Sequence, residues 1–423
     1  MVGTRYEKVR SMKAVVFTLG CKVNECESDS LITGLINRGY EVSDKLEYAD
    51  LYIVNTCAVT AEAEKKSRQT ASRIEKLNPK AEIIFTGCAA QKSYENFSAK
   101  KNARLITGTF SKNKILEMLD KRGVYIAGED KEFEELLPVK SLKTRTFIKV
   151  QDGCDNFCSY CIIPYLRGRS RSRNPESVLN EIRAVSPQEA VLGGINLSAY
   201  NYNGTDLTGL LKVLKNEDCR IRLGSLEVNV ITDEFLSAAN EMKNFAPHFH
   251  LSLQSGSNSV LKKMNRHYTA EEFIEKAELI RKYFPLAGIT TDVIAGFPTE
   301  TKEDFSDTLN LIDKVRFSDI HAFCYSMRSG TAAAKLKELP PEAKKERLNR
   351  LLLKKEEMKS AFVREMTGKT LSFVFEESVD GYGEGYSENY LRLYVKGLKD
   401  CTRPVKVKVV NAFKDGAEAT PVD

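Results

Sequence analysis

The chain has 423 residues, of which 42% are apolar and 29% are charged. These proportions are typical of a globular protein and exclude a mainly disordered, collagen-like or coiled-coil chain. The net charge of +6 permits an anionic partner without requiring one. No apolar run approaches the ~20 residues of a membrane helix, and the polar N-terminal segment does not resemble a signal peptide. We therefore expect a cytoplasmic protein without a membrane partner.

The N-terminal part of the chain, residues 12–120, alternates strand and helix signals. Short apolar runs predict strands, and the longer segments between them predict helices that end at Gly39 and at Asn78-Pro79. The predicted strands are Ala14–Phe17, Leu51–Val54 and Ala81–Phe85, and the predicted helices are Glu25–Asn37 and Ala61–Leu77. This βαβαβ pattern indicates an open parallel α/β sheet.

A charged segment, residues 121–142, is expected to link this domain to a second one at 143–366. Asn174 and Pro175 are suited to begin a helix over Pro175–Val185. The predicted strands are Phe147–Val150, Ala190–Gly193, Arg220–Leu223, His250–Leu253, Ile289–Ala295 and Ile320–Cys324. Six βα units predict a partial (βα)6 TIM-like barrel rather than a complete eight-fold one.

A long helix is predicted over Pro341–Met366. Its apolar residues are interpreted as a packing face: Leu348, Leu351, Leu352, Met358 and Phe362. Residues 367–423 then change to short alternating strands, at Leu371–Phe375, Tyr390–Val395 and Pro404–Val410. This last segment predicts a small all-β barrel.

Three of the ten cysteines lie within eight residues, at Cys154, Cys158 and Cys161. They follow the first predicted strand of the barrel, where barrel enzymes build their sites. Structural zinc would require a fourth Cys or His ligand, and the next His along the chain is His248. Three thiolates with one open position instead suit a four-iron cluster with one free iron.

Three further cysteines each follow a predicted strand of the N-terminal sheet. Cys21, Cys57 and Cys88 are separated by 36 and 31 residues, the length of a βαβ repeat. Because parallel strands end at one edge of a sheet, the three thiols can meet there, where open α/β sheets bind ligands. The alternative is that they are separate small hydrophobic residues. That packing role is our interpretation of the other four cysteines, Cys26, Cys219, Cys324 and Cys401.

The segment CDNFCSYC resembles the cluster motif of radical S-adenosylmethionine enzymes. Together with TLGCKVN, NTCAVT and TGCAA, it makes nearly the whole chain resemble the radical S-adenosylmethionine methylthiotransferase family. The resemblance implies an N-terminal methylthiotransferase domain, a radical S-adenosylmethionine domain and a C-terminal TRAM domain.

The resemblance also implies cofactors. Cys154, Cys158 and Cys161 would hold a [4Fe-4S] cluster that binds S-adenosylmethionine, and Cys21, Cys57 and Cys88 would hold a second, auxiliary [4Fe-4S] cluster that presents sulfur. A second S-adenosylmethionine would methylate that sulfur. Because such cofactors carry the hard chemistry, no side chain is assigned a catalytic role. We expect both open cluster sites to face one gap.

The family acts mainly on isopentenyladenosine in tRNA, threonylcarbamoyladenosine in tRNA, or an aspartate of a ribosomal protein. The segments GCKVN and IKVQDGCDNFCSYCIIPYLRGRSRSR are similar to the threonylcarbamoyladenosine branch. They favour methylthiolation of adenosine C2 next to the anticodon, with tRNA and not DNA as partner. A metal-bearing RNA-binding scaffold without turnover is an alternative from another class. The sulfur source and the electron donor are not indicated by the sequence.

Residues at the predicted strand ends are candidates for contact with S-adenosylmethionine. Glycines there permit close backbone approach, and Arg266 is suited to the cofactor carboxylate. The candidates are Gly193, Gly194, Gln254, Arg266 and Gly296. Val228 stands where family members usually have Pro, which makes the end of the third barrel strand uncertain.

Two basic segments are candidates for substrate contact. Arg167, Arg169, Arg171 and Arg173 alternate with other residues just after the cluster motif, and Arg pairs well with phosphate or another anionic group. Residues 391–408 carry six Lys or Arg against one Asp, beside Tyr390 and Tyr394. We interpret them as a strand face for RNA backbone. The alternatives are a solvated charge run and simple packing.

Overall fold

The computed structural model describes residues 12–129, 131–138 and 144–422. These residues form two compact units, the first of residues 12–129 and 134–138 and the second of residues 131–133 and 144–422. Within the described ranges, no helix combines the length and the apolar character needed to cross a membrane.

The first unit is a six-stranded sheet in which every neighbouring pair is parallel, with the order β2-β1-β3-β4-β5-β6. Its elements are β1 (Lys13–Thr18), α1 (Lys22–Ile36), β2 (Glu41–Ser43), β3 (Leu51–Thr56), α2 (Ala61–Leu77), β4 (Glu82–Gly87), α3 (Cys88–Lys92), α4 (Glu95–Ser98), β5 (Ala103–Thr107) and β6 (Gly123–Tyr125). The predicted parallel sheet is confirmed. Strands β3 and β4 are central and buried, as their apolar sequences require.

The structure adds three strands that the sequence did not predict, β2, β5 and β6. Two of them have only three residues and are partly or fully exposed, so they lack a long apolar run. Strand β6 lies in the segment expected to be a linker and extends the sheet beyond β5. Within the same segment, the Leu137 N–H donates to Ser30 Oγ at 3.0 Å. Residues 130 and 139–142 of the expected linker lie outside the described residues.

The second unit begins with a partial barrel. Its elements are β7 (Arg145–Lys149), β8 (Gln151–Asp152), α5 (Ile163–Arg167), β9 (Arg171–Ser172), α6 (Pro175–Val185), β10 (Glu189–Gly193), β11 (Asn201–Tyr202), β12 (Thr205–Asp206), α7 (Leu207–Val213), β13 (Arg220–Leu223), β14 (Ser225–Leu226), α8 (Asp233–Asn240), β15 (His248–Gln254), α9 (Asn258–Lys263), α10 (Ala270–Tyr283), β16 (Gly288–Ala295), α11 (Lys302–Val315), β17 (Asp319–Cys324) and α12 (Pro341–Met366).

The barrel strands confirm the predicted six-unit arrangement. Strands β7, β10 and β13 pair in parallel, as do β14, β15, β16 and β17. Only Gly224 separates β13 from β14, so these two segments occupy one strand position. The Gly224 N–H donates to the Leu192 carbonyl at 2.8 Å, which holds the kink against β10.

The core of the barrel lies between the strands and the helices and includes Leu192, Phe249 and Ile289. Helix α12 adds Leu351, which is fully buried, while Leu352 of the expected packing face is 43% exposed. The predicted stripe is therefore correct except at Leu352, which points to solvent.

The chain ends in a closed five-stranded barrel with the order β18-β19-β20-β22-β21. Its strands are β18 (Thr370–Val379), β19 (Tyr382–Ser387), β20 (Arg392–Lys396), β21 (Val405–Phe413) and β22 (Gly416–Pro421). Phe373, Leu393 and Val407 are fully buried in its core. The predicted all-β barrel is confirmed, and it contains two strands, β19 and β22, that the apolar pattern did not reveal.

Candidate functional site

The first cysteine trio lies at the carboxyl edge of the N-terminal sheet. Cys21 follows β1 and is the N-cap of α1, Cys57 follows β3, and Cys88 is the first residue of α3, directly after β4. Strands β1, β3 and β4 are adjacent, and neighbouring strands lie about 4.8 Å apart. In the structure, all three cysteines therefore lie at one edge of the sheet, as the order of strands and cysteines along the chain predicted.

The surroundings of the three thiols differ. Cys57 and Cys88 are buried, whereas Cys21 is exposed. A Cβ atom added to Gly20 would lie 2.7 Å from both Cβ and Sγ of Cys57. The chain before Cys21 therefore runs directly against Cys57, and only glycine permits this approach.

A buried polar network supports this edge of the sheet. Asn24 Nδ2 donates to the carbonyl oxygens of Leu19 and Thr56, at 2.8 and 3.1 Å. Asn55 Nδ2 donates to the Asn24 carbonyl at 3.0 Å, and Lys112 Nζ donates to Asn55 Oδ1 at 3.2 Å. These bonds link the turns after β1 and β3, so they hold the loops that carry Cys21 and Cys57. The sequence did not reveal this network because all of its bonds except the one from Asn24 to Leu19 join residues more than 30 positions apart.

The second trio lies in the loop between β8 and α5. The Cys154 N–H donates to the Gly168 carbonyl at 3.1 Å, and the Cys161 N–H donates to the Cys158 carbonyl at 2.9 Å. Strand β8 pairs with β9 in antiparallel register, which closes the base of the loop. The three cysteines therefore lie on one loop at the end of the first barrel strand, and the pairing of β8 with β9 holds the two ends of that loop together.

Gln151 and Asp152 organise the base of this loop, and both are buried. Gln151 Nε2 donates to the Gly153 carbonyl at 2.7 Å and to Ser170 Oγ at 2.9 Å. Asp152 accepts from Lys149 at 2.6 Å and from Arg167 at 3.1 Å. The sequence analysis overlooked both residues, although they stand directly before the cluster motif.

Two side chains donate hydrogen bonds to cysteine sulfurs of this loop. Asn196 Nδ2 lies 3.8 Å from Cys154 Sγ, and Arg266 Nη1 lies 3.4 Å from Cys158 Sγ. Arg266 is itself fixed by Glu227, at 2.8 Å, and Glu227 accepts from Asn156 Nδ2 at 2.7 Å. Arg266 therefore lies beside the trio as expected, while Asn156, Asn196 and Glu227 had no recognisable signal in the sequence.

The spacing of ligand atoms around a metal ion depends on the length of the metal–ligand bonds. Tetrahedral zinc with bonds of 2.3 Å places its sulfur ligands about 3.8 Å apart. Within the described ranges, three ligand atoms that all lie within 4.8 Å of one another occur at His250, Asp292 and His321 and not at either cysteine trio. Thiolates are the usual ligands of iron–sulfur clusters, so the donor chemistry of both trios fits such a cluster.

Burial affects the thiols of the barrel trio. It raises the pKa of Cys161 to about 12, and the neighbouring sulfurs of Cys158 and Cys154 act in the same direction. Burial also raises the pKa of Cys154. The raised pKa keeps the free thiols of Cys154 and Cys161 protonated at neutral pH, whereas coordination to a metal deprotonates a thiol outright. The three sulfurs are near enough to interact electrostatically, and the charge of Arg266 acts in the opposite direction on the pKa of Cys161.

The structure places four of the five predicted cofactor-contact residues, all except Arg266, at or directly after strand ends. Gly193 ends β10, and a Cβ there would meet only the Ile148 carbonyl oxygen, at 4.0 Å. Gln254 ends β15 with φ +68° beside a register shift. A Cβ on Gly194 would lie 2.8 Å from Gln151, and one on Gly296 would lie 2.5 Å from Lys344 Cγ of α12. The last two glycines are therefore required by contacts within the protein.

The arginine run after the motif differs from its expected role as a substrate patch. Arg167 and Arg171 are buried and pair with Asp152, and Arg173 is buried and pairs with Glu181. Arg169 alone of the four is exposed; it pairs with Asp155 at 3.1 Å and lies over the Phe157 ring. Three of the four arginines hold the loop base from inside, so the expectation of substrate contact applies only to Arg169.

The two tyrosines expected to contact RNA are instead used for packing. Tyr390 stacks on Tyr386 and on His248 of β15, with ring centroids 4.6 and 4.4 Å apart. Tyr394 is buried, and its hydroxyl donates to Asp415. The expectation is therefore wrong for both rings. In contrast, Lys406 and Lys408 alternate with buried valines on β21 and are exposed.

Two family models match the chain. The Radical SAM superfamily matches residues 148–312, which contain the second trio and most of the partial barrel. The Uncharacterized protein family UPF0004 matches residues 13–108, which contain the first trio. The two matches coincide with the two cysteine-bearing sheets.

Known proteins resemble the chain over most of its length. It is 36% identical to "Threonylcarbamoyladenosine tRNA methylthiotransferase MtaB" of Bacillus subtilis, over 95% of this chain and 94% of the relative. It is 35% identical to "tRNA-2-methylthio-N(6)-dimethylallyladenosine synthase" of Caldicellulosiruptor saccharolyticus, over 87% and 82%.

A solved structure shares the fold. The radical S-adenosylmethionine methyltransferase TsrM of Kitasatospora setae superimposes with a TM-score of 0.56 at 12% identity, over 88% of this chain and 80% of that one. Because the curated relatives exceed 30% identity along nearly the full chain, this protein belongs to the radical S-adenosylmethionine methylthiotransferase family.

Proposed function

We propose that this enzyme, a transferase, converts N6-threonylcarbamoyladenosine at position 37 of tRNA, next to the anticodon, to its 2-methylthio derivative. The observation that carries the proposal is the presence of two cysteine trios, each at the carboxyl end of parallel strands. A methylthiolating enzyme needs one such site to activate an inert C–H bond and another to present sulfur.

We assign one [4Fe-4S] cluster to each trio. Cys154, Cys158 and Cys161 would hold the cluster that binds S-adenosylmethionine, and Cys21, Cys57 and Cys88 would hold the auxiliary cluster. The corresponding domains are residues 12–120 and 143–366, followed by a TRAM domain at 367–423. The donor chemistry supports this assignment because thiolates are the usual ligands of such clusters.

The cofactors, when bound, supply hydrogen abstraction from C2 after reductive cleavage of S-adenosylmethionine, sulfur insertion, and methyl transfer from a second S-adenosylmethionine. The chain holds and orients these groups. Asn196 and Arg266 donate N–H groups to Cys154 and Cys158, which stabilises negative charge on the sulfurs. Tyr160 packs on an apolar cluster that includes Phe297 and Tyr325, which excludes water from one side of the loop.

The threonylcarbamoyladenosine branch is supported by the GCKVN segment around Cys21 and by the 36% identity to the MtaB relative of Bacillus subtilis over 95% of this chain. The alternatives are methylthiolation of isopentenyladenosine in tRNA or of a ribosomal-protein aspartate. A tRNA substrate would place the reaction in the cytoplasm, and Arg169 is the exposed arginine that we propose for contact with the RNA.

The first test is the modified-nucleoside profile of tRNA from a strain that lacks this gene. We expect 2-methylthio-N6-threonylcarbamoyladenosine to disappear and its precursor, N6-threonylcarbamoyladenosine, to accumulate. Mass spectrometry of digested tRNA measures both. Reintroduction of the wild-type gene should restore the product, and the Cys154→Ala variant should not.

Other profiles would contradict the proposal. If only the methylthiolated isopentenyladenosine were lost, the substrate would be isopentenyladenosine in tRNA rather than N6-threonylcarbamoyladenosine. Survival of every methylthiolated adenosine would exclude a tRNA substrate and favour a protein side chain.

A further inference from the structure

A compact group of ligand-type side chains, none of them a cysteine, lies in the partial barrel. His250 of β15, Asp292 of β16 and His321 of β17 each contribute one ligand atom, and these atoms all lie within 4.8 Å of one another. His250 Nε2 is 3.3 Å from Asp292 Oδ2, and His321 Nδ1 is 3.4 Å from Asp292 Oδ1. Three neighbouring parallel strands thus bring two imidazoles to one carboxylate.

Strand alternation places this group on the inner side of the barrel. Ile289, Val293 and Ala295 of β16 belong to the core between the strands and the helices. Thr290 and Asp292 alternate with them and therefore point to the opposite face of the strand. The side chains of Asp292 and His321 are 30% and 46% exposed, so an ion and its remaining ligands have access to the group from the barrel interior.

The ring of His250 is held in a defined orientation. Its Nδ1 lies 2.9 Å from Thr290 Oγ1, and the same hydroxyl lies 2.9 Å from His248 Nε2. This contact turns Nε2 of His250 toward Asp292. Metal-binding histidines characteristically use their second ring nitrogen in such a hydrogen bond, which fixes the ring and raises its basicity as a ligand.

The separations within the group suit one small divalent ion. With bonds of 2.0–2.1 Å to nitrogen and oxygen, a tetrahedral ion separates its ligand atoms by about 3.3 Å. His250 Nε2 lies 3.3 Å from Asp292 Oδ2 and His321 Nδ1 lies 3.4 Å from Asp292 Oδ1, so each imidazole is at this separation from one oxygen of the shared carboxylate. An ion at this centre would replace the direct His–Asp contacts without a large movement of any strand.

We propose that His250, Asp292 and His321 form a binding site for one divalent transition-metal ion, Zn²⁺ or Fe²⁺. Two histidines and one carboxylate leave coordination positions open in such sites, which water or another oxygen ligand occupies. The open positions face the barrel interior. The nitrogen and oxygen ligands distinguish this site from the thiolate trios, which favour iron–sulfur clusters.

The test uses the full-length protein after reconstitution of its iron–sulfur clusters. The protein is dialysed against Zn²⁺, desalted, and analysed for zinc and iron by mass spectrometry of the metals. We expect about one zinc per chain, with unchanged iron. Zinc should be lost in Asp292→Asn and in His321→Gln, but retained in His267→Ala, which removes an exposed histidine outside the group.

X-ray absorption at the zinc edge provides the second measurement. The proposal predicts only nitrogen and oxygen neighbours, at about 2.0–2.1 Å, whereas zinc held by displaced cluster cysteines would show sulfur at about 2.3 Å. His321 is on the edge strand of its sheet, so His321→Gln should keep the wild-type melting temperature without zinc. Absence of zinc in the wild type, equal zinc in Asp292→Asn, or a sulfur shell would overturn the proposal.

Discussion

Gly153, directly before the first cysteine of the barrel trio, has a backbone conformation that other residues rarely adopt. Its φ is +72°, and an added Cβ would lie 1.9 Å from the Arg169 carbonyl oxygen and 2.7 Å from that of Gly168. Both neighbours are backbone atoms and cannot turn away as a flexible side chain would. The loop that carries Cys154 is therefore closed only because this residue is glycine.

We predict that Gly153→Ala displaces Cys154 and prevents assembly of the cluster in the barrel. Iron in the reconstituted protein should fall from about eight to about four atoms per chain, since each four-iron cluster accounts for half. Gly204→Ala is the matched control because Gly204 also has positive φ, +89°, but an added Cβ would meet nothing within 4 Å. Full iron content in Gly153→Ala would refute this account of the loop.

At the scale of elements, buried charge joins the partial barrel to the C-terminal barrel. Glu189 of β10 pairs with Arg220 and Arg222 of β13, and all three are buried. Arg222 also donates to the carbonyl oxygens of Ser387 and Glu388, each at 3.0 Å. Burial alone would raise the pKa of Glu189. The charges of Arg222 and Arg220 outweigh that effect and lower this pKa to about 2. The carboxylate therefore contributes stability above its unfolded pKa, near pH 4.5, which is lost as the pH falls toward 2.

We predict that Glu189→Gln destabilises the protein strongly at pH 7, because it leaves two buried guanidinium groups without their counter-charge. Loss of one partner from a buried ion pair costs about 3–5 kcal/mol. The change in the free energy of unfolding is measured by urea denaturation of the full-length protein, followed through the transition of the second unit. Glu234→Gln is the control, since Glu234 pairs with Lys212, both side chains are exposed, and such surface pairs contribute about 0–1 kcal/mol. Equal stabilities of the two variants would contradict the assigned role of Glu189.

Elements with a clear local start signal were predicted with the correct bounds, and short, exposed strands were missed. Helices α2, α6 and α12 have the predicted bounds, because Thr60 and Asn174 cap the first two and Pro341 begins the third. Strands β2 and β6 were missed because three residues with partial exposure carry no apolar run. The arginine run was misinterpreted because Asp152 and Glu181, its internal partners, become neighbours only in the folded chain.

At the scale of the whole molecule, each trio depends on its own sheet and its own supporting hydrogen bonds. The buried network of Asn24, Asn55 and Lys112 supports the first trio, and Gln151 with Asp152 supports the second. The structure places both groups of cysteines at strand ends, where topology predicted the first group and close spacing predicted the second, while their role as cluster ligands stays a prediction. The supporting residues were not predicted, since the contacts of Asn55 with Asn24 and Lys112 and of Asp152 with Arg167 join parts of the chain that are separated in sequence.

The central claim, that two separate clusters perform two different tasks, is tested most directly by Cys57→Ala in the reconstituted full-length protein. Cys57 belongs only to the first trio, so we predict about four irons per chain instead of about eight, continued formation of 5′-deoxyadenosine from S-adenosylmethionine, and no methylthiolated product on tRNA. An unchanged iron content together with normal product formation would contradict the claim.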